Sequence, residues 1–258
     1  MATDTSRRVF LRTTGAAVLG LGCGIPLVKA LASEITGEGA AKGPRWAMVV
    51  DTKLCAAQGD CDACGAACHA VHNVPTIEDP KEEVKWIWKE SYEATFPGQS
   101  HEFTQAELRE REMVVFCNHC DNPPCVRVCP TQATWKRRDG IVMMDMHRCI
   151  GCRYCIVGCP YGSRSFNWSD PRPHIEKVNE AYPTRSKGVV EKCNFCAEKS
   201  RDVEGAWTPE CVASCPAKAL TFGNLSDPDS EIRKLLAERM SSVRKPELGT
   251  RPHVFYLV

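Results

Sequence analysis

Cysteine spacing constrains this chain more than any other feature. Seventeen cysteines stand in 258 residues, and sixteen of them fall into four groups of four. The groups are Cys55, Cys61, Cys64 and Cys68; Cys117, Cys120, Cys125 and Cys129; Cys149, Cys152, Cys155 and Cys159; and Cys193, Cys196, Cys211 and Cys215. Three of them end in Cys-Pro, at Pro130, Pro160 and Pro216. Such a density demands a disulfide framework, zinc sites or iron–sulfur clusters. Zinc takes two ligand pairs per ion, and the third group is a run that offers no such division. Cysteines repeated at i and i+3 also make a poor disulfide frame, although exported proteins favour disulfides. The third group reads C-x2-C-x2-C-x3-C-P, which is the bacterial ferredoxin run. Three cysteines at that spacing wrap one cubane, and the fourth is tethered too tightly to reach the same cube, so it ligates a neighbour. The proline then turns the chain away, while backbone N–H groups of the loop face the sulfides.

The other groups differ by insertion. Five residues separate Cys55 from Cys61, four separate Cys120 from Cys125, and fourteen separate Cys196 from Cys211. Loop closure costs little more as a loop lengthens, so these excursions are tolerable. No group has lost a cysteine. The expectation is therefore four [4Fe–4S] clusters and no three-iron cluster, with all sixteen cysteines as metal ligands. Composition fits a metal-held domain. Apolar content is 43% and charged content 25%, but aromatic content is only 7%, so the core is thin. Metal binding becomes folding free energy and offsets that. A net charge of +1 gives no reason to expect nucleic acid as a partner.

The N-terminus reads as a targeting segment. Arg7-Arg8-Val9-Phe10-Leu11-Arg12 has the form of a twin-arginine export signal. A Gly/Ala/Leu/Val stretch follows to about Leu27, and Ala30-Leu31-Ala32 offers a small–x–small cleavage site. The expectation is a signal peptide over 1–32, cleavage after Ala32, and a linker over 33–46. Retention as an anchor, or lipid attachment at Cys23 after Gly22, are alternatives. No other stretch has the ~20 apolar residues a span needs. The protein is thus expected to be periplasmic, exported folded, and peripheral to the inner membrane.

Between the cysteines the chain alternates short strands and helices. Ala133–Lys136, a turn at Arg138-Asp139-Gly140, and Ile141–Asp145 read as a hairpin. Short strands are expected at Trp46–Asp51, at Ala217–Gly223 and, closing the chain, at His253–Val258, with a helix over Ser230–Met240. Strand, cluster loop, short helix and strand recur. The fold class is therefore α+β: two pseudo-symmetric bacterial ferredoxin-like units, each for two [4Fe–4S] clusters, one inserted in the other, with loop inserts. The domain spans 47–225, its inner unit lies at about 113–166, and 226–258 is a C-terminal helix and strand extension. Trp86 and Trp88, at period two within a mixed polar stretch over Ala70–Phe116, suggest a strand face. Tyr161–Lys192 reads as a polar surface loop.

These residues carry a family resemblance. The segments CNHCDNPPC over 117–125, DGIV over 139–142, CIGCRYC over 149–155, CPYG over 159–162 and EKCNFC over 191–196 resemble the four-cluster iron–sulfur subunits of membrane-bound bacterial oxidoreductases. Those include the electron-transfer subunits of dimethyl sulfoxide, polysulfide and nitrite reductases and of formate dehydrogenases. With the leader and the widened first group, the chain is most similar to the iron–sulfur subunits of Dsr-type sulfur-metabolism membrane complexes. The resemblance implies a partner like the quinone-reactive polysulfide-reductase membrane subunit, and a multihaem cytochrome c. It also implies a ligand pairing. Cys55, Cys61, Cys64 and Cys215 would hold one cluster, and Cys193, Cys196, Cys211 and Cys68 its neighbour. Cys117, Cys120, Cys125 and Cys159 would hold a third, and Cys149, Cys152, Cys155 and Cys129 the last.

No nucleophile–base set, nucleotide loop or haem-attachment motif is present. The expectation is an electron relay without its own substrate site; the alternative is a self-contained iron–sulfur enzyme or regulator. His69, His72, His119 and His147 flank cysteine groups that already supply four thiolates each, so they are expected to pack or to tune rather than to ligate. Arg137, Arg138 and Arg153 are expected to be solvated or paired with acids.

Overall fold

The computed structural model describes residues 43–201, 205 and 207–258. The expected leader, its cleavage site, Cys23 and most of the expected linker lie outside the described residues. β1 (Trp46–Asp51) runs into the first cysteine group, which carries α1 (Thr52–Ala56) and α2 (Ala63–His72). An insert follows with β2 (Ile87–Ser91), α3 (Tyr92–Thr95) and α4 (Ala106–Glu110). β3 (Glu112–Phe116) precedes the second group and its α5 (Pro124–Arg127); the hairpin β4 (Thr134–Lys136) and β5 (Val142–Met144) leads to the third group and α6 (Tyr154–Val157). β6 (Ser165–Phe166) and β7 (Val190–Glu191) bracket the next connection, and α7 (Glu210–Ala213) belongs to the fourth group. β8 (Leu220–Asn224), α8 (Glu231–Glu238), β9 (Ser241–Ser242) and β10 (Val254–Leu257) complete the chain.

β1 is buried along its whole length, because both of its faces are covered. Trp46, Met48 and Val50 enter the main core with Phe116, Phe195, Trp207 and Tyr256, while Ala47 and Val49 pack under Ile232 of α8. The sheet order is β8–β1–β10–β9, with β10 parallel to β1 and β8 antiparallel to it. The closing strand is therefore an interior strand rather than an appendage. The segment before it braces the second cysteine group: Asp121 and Asn122 donate backbone hydrogen bonds to the carbonyls of Arg251 and Thr250, and His253 N–H donates to Asn118.

The β4–β5 hairpin forms with Trp135 opposite Met143. Its corner is Asp139-Gly140, where Gly140 takes φ +89° and a Cβ would stand 3.2 Å from the His253 ring. The strand face expected at Trp86 and Trp88 is met by β2, which holds Trp88; it pairs antiparallel with β3, whose Met113, Val114, Val115 and Phe116 are all buried and were not expected as a strand. The 161–192 connection is not a free surface loop. It contains the β6–β7 pair and buries Arg164, Asn167, Arg185 and Glu191. Among the described residues, no helix is long and apolar enough to cross a membrane.

Candidate metal centres

Each cysteine group is built the same way. The third cysteine is the second residue of a helix in all four: Cys64 in α2, Cys125 in α5, Cys155 in α6 and Cys211 in α7. Pro124 starts α5, where its missing N–H is no loss. In three groups the fourth cysteine then closes the short helix, with Cys129, Cys159 and Cys215 donating N–H to the carbonyls of Val126, Ile156 and Val212. Three residues later the chain turns through a positive φ, at Gln132 (55°), Gly162 (66°) and Lys218 (51°). The first group departs from this plan because α2 runs on for ten residues and carries Cys68 within it. In the third group Gly151 is obligatory: its φ is +70°, and a Cβ would fall 2.4 Å from the Gly188 carbonyl.

The helices pair, α2 against α7 and α5 against α6, and the sulfurs gather accordingly. Cys55 lies in electrostatic contact with Cys215 and Cys61, and Cys64 with Cys55 and Cys215. Cys68, Cys193, Cys196 and Cys211 line one enclosed cavity beneath Trp86 and Phe195. Cys117, Cys120, Cys125 and Cys159 line another, walled by Pro123, Tyr161 and Arg164. Cys149 is beside Cys155; Cys129 follows α5, and Cys152 is the exposed member of the set. All sixteen thiols in the described residues are free of disulfides.

Crowded, buried thiols are unfavourable without a cation. Burial first, and then neighbouring sulfurs and Asp62, push Cys64 up to about 11; burial and Cys117 push Cys120 and Cys193 up to about 12. Burial, and then the neighbouring Cys193 sulfur, push Cys68 and Cys211 well above the ordinary thiol range. Sets of soft sulfur donors that repel one another in a dry cavity fit an iron–sulfur cluster, whose irons supply the missing positive charge. When bound, such a cluster supplies a one-electron carrier. The polar groups around the sulfurs then decide how readily it accepts charge.

A family profile described as "4Fe-4S dicluster domain" matches residues 113–225. The Hdr-like menaquinol oxidoreductase iron-sulfur subunit 1 of Archaeoglobus fulgidus is 40% identical over 97% of this chain and 97% of its own. A tetrathionate reductase subunit of Salmonella typhimurium is 36% identical over 98% of this chain and 88% of its own. A polysulfide reductase polypeptide of Wolinella succinogenes is 35% identical over 82% and 93%. The chain belongs to this family of iron–sulfur electron-transfer subunits of oxidoreductase complexes.

For a subunit of this family the surroundings of the sulfurs matter as much as the sulfurs, and several were invisible in the sequence. Arg164 is 5% exposed and donates from its guanidinium to Cys125 Sγ at 3.2 Å and to Thr134 Oγ1 at 3.1 Å. Lys192, also buried, donates to the carbonyls of Val142 and Cys193. Arg185 and Glu191 form an ion pair at 2.6 Å with both side chains 1% exposed. Trp86 Nε1 donates to Glu191, and Arg185 donates to the carbonyls of His72 and Asn73 at the end of α2. This clamp holds the 161–192 connection against the helix that carries Cys68.

The histidines serve as packing and hydrogen-bonding groups. His72 bridges the Cys68 carbonyl, 2.9 Å from Nδ1, and the Glu198 carboxylate, 2.8 Å from Nε2. His119 stacks on Phe195 at 3.8 Å and accepts from Val142 N–H. Burial, with the Lys192 charge, holds it well below the ordinary range. His69 is shifted down by burial, and His147 is exposed. Arg137 pairs with Asp139 at 2.8 Å. Arg153 is exposed, and its guanidinium lies 4.6 Å from the Trp168 ring centre in a cation–π stack.

Proposed function

We propose that this chain holds four [4Fe–4S] clusters and relays single electrons through them within a membrane-associated respiratory or sulfur-metabolism complex of the Dsr type. The supporting observation is that free cysteines of different groups converge: Cys215 on Cys55 and Cys64, Cys68 on Cys193, Cys196 and Cys211, and Cys159 on Cys117, Cys120 and Cys125. In this reading Cys55, Cys61, Cys64 and Cys215 hold the first cluster and Cys68, Cys193, Cys196 and Cys211 the second. Cys117, Cys120, Cys125 and Cys159 hold the third, and Cys129, Cys149, Cys152 and Cys155 the fourth. One ferredoxin-like unit, at about 113–166, is inserted within another inside 47–225. The pairing of α2 with α7 and of α5 with α6 supports this nesting.

The relative named as a menaquinol oxidoreductase subunit supports a quinone-reactive membrane partner here. The Arg7-Arg8 motif supports export in the folded state to the periplasm, and a multihaem cytochrome c is the proposed second partner. The chain has no substrate site of its own. Its exposed Cys152 sits among Ile150 (67% exposed), Tyr154 (62%) and Val157 (87%), beside an open groove of about 590 Å³. An apolar rim around an exposed ligand is suited to a redox partner that must approach closely. Anaerobic purification with its neighbours tests the whole reading. The expected result is about sixteen iron and sixteen sulfide per chain, with a membrane subunit and a cytochrome co-purifying. Zinc in place of iron would end it, and iron without partners would end the complex assignment.

A further inference from the structure

Arg164 is the one arginine among the described residues that hydrogen-bonds a cysteine sulfur. It lines the enclosed cavity of Cys117, Cys120, Cys125 and Cys159, and it also lines the groove that reaches Cys152. Its charge is felt by Cys125, Cys155 and Cys117, which belong to two different proposed quartets. Among the described residues no carboxylate pairs with it; its other hydrogen-bond partners are Thr134 Oγ1 and Met144 Sδ. A fully charged guanidinium in a dry site with only sulfur, hydroxyl and thioether neighbours is costly unless anions compensate it. The sulfur ligands are the available anions.

We propose that Arg164 is a positioning residue for electrons: its buried charge and its N–H···S bond to Cys125 raise the reduction potentials of the two inner clusters. This rests on the four-cluster reading and names the residue that tunes two of its potentials. Each reduction adds one electron, taken from a redox partner, to a cluster and its thiolates, and the added negative charge is stabilised by a fixed cation about one hydrogen bond away. No proton moves, because a guanidinium stays protonated. Hydrogen bonds and charge next to cluster sulfurs are established levers on potential. Among the described residues the outer quartet of Cys68, Cys193, Cys196 and Cys211 has no guanidinium on its sulfurs; the cations that act there, Lys192 on Cys193 and Lys199 on Cys196, make no hydrogen bond to a sulfur.

The experiment is an EPR-monitored redox titration of the cluster-loaded full chain as wild type, Arg164→Gln and Arg164→Lys. Two of four midpoints are expected to fall in Arg164→Gln. The cluster bound by Cys125 should move most, its reduction becoming about tenfold less favourable, which is about 59 mV for one electron. Arg164→Lys should restore most of that shift, because it keeps the charge. Four unchanged midpoints in Arg164→Gln with native iron content would overturn the proposal. Should Arg164→Gln fail to load its inner clusters, wild-type protein labelled with 15N-arginine supplies the answer. A 15N hyperfine coupling in a reduced cluster, lost in Arg164→Lys, supports the assignment; its absence in the wild type refutes it. Iron and sulfide well below sixteen per wild-type chain would instead sink the four-cluster reading beneath it.

Discussion

The second and third cysteine quartets are each enclosed, yet their walls carry different electrostatics. The outer one, Cys68 with Cys193, Cys196 and Cys211, lies beneath Trp86, Ile87 and Phe195, and feels charges of both signs: the Glu198 carboxylate, held by His72, and the Lys192 and Lys199 ammonium groups. The inner one, Cys117 with Cys120, Cys125 and Cys159, has the Arg164 guanidinium against a sulfur. The inner unit also opens outward at Cys152, whereas Cys68 and Cys196 are buried. Burial alone disfavours added negative charge, and a nearby carboxylate disfavours it further; a buried cation reverses the sign. Similar sulfur sets on similar helices are thereby given different electron affinities by a few side chains that the cysteine pattern does not specify.

The Arg185–Glu191 clamp gives the largest expected effect on this contrast, because its guanidinium caps the end of α2, the helix that carries Cys68 on the outer side. Removing one member of a buried ion pair leaves the other charge uncompensated, at a cost of roughly 3–5 kcal/mol. In Arg185→Met, the carboxylate of Glu191 keeps Trp86 and Asn167 as donors but loses its cation. The end of α2 loses the donor to its His72 and Asn73 carbonyls. The expected outcome is early loss on heating of the clusters held through Cys68 and Cys193, followed by EPR, while the inner signals survive to higher temperature. Simultaneous loss of all four would show that the two regions are one cooperative unit and would break the comparison.

Sequence made the cysteine ladder, the β4–β5 hairpin and the closing strand legible because each is written locally: fixed spacing, Asp-Gly at a corner, a continuous apolar run. It did not reveal β3, although Met113-Val-Val-Phe116 is a short apolar run, because the surrounding Ala70–Phe116 stretch is polar on average. Nor did it reveal Arg164, Arg185 and Glu191. In a proline-containing connection, charged residues look like surface, and only the third dimension shows that each faces an opposite charge or a sulfur. Sequence spacing speaks about which residues reach a cluster; it is silent about which charges are trapped beside it.

The next effect in size concerns acid. Burial first, and then the Arg45 guanidinium 3.0 Å from Nε2, hold His253 down to about 4. The unfolded chain takes up this proton below the ordinary histidine value of 6.5, and the folded chain does so only near 4. Stability is therefore full above pH 6.5 and falls as the pH drops through that window, by about 3 kcal/mol in all. Since His253 packs against Gly140 and donates its backbone N–H to Asn118, acid should loosen the inner region first. His253→Gln should flatten the pH 5 to 7 difference in thermal midpoint; an unchanged difference would place the acid sensitivity elsewhere.

Exposure at Cys152 sets a smaller term. Val157→Asp puts a charge on the apolar rim without touching a sulfur. Partner affinity should weaken about tenfold, or about 1.4 kcal/mol, as measured by titrating the purified partner subunit, with all four midpoints unmoved. Unaltered affinity would move the docking face away from the inner unit.

The smallest effect is the sharpest test of sign. Glu198 hydrogen-bonds His72 and Asn194. Burial raises its carboxyl, but the His72 hydrogen bond and charge outweigh that, so it stays below the usual carboxylate range and ionised. Its charge works against negative charge on Cys193 and Cys196. Glu198→Gln keeps the shape and removes the charge, so the outer midpoint should rise, opposite in direction to the fall expected for Arg164→Gln. The side chain is 31% exposed, and solvent screens it, so the change should be about threefold in the reduction equilibrium, or roughly 30 mV. A rise confined to one outer midpoint would establish that the two cavities are tuned by local charges of opposite sign. A shift of the same sign in both variants would mean that folding strain, rather than charge, moves the potentials.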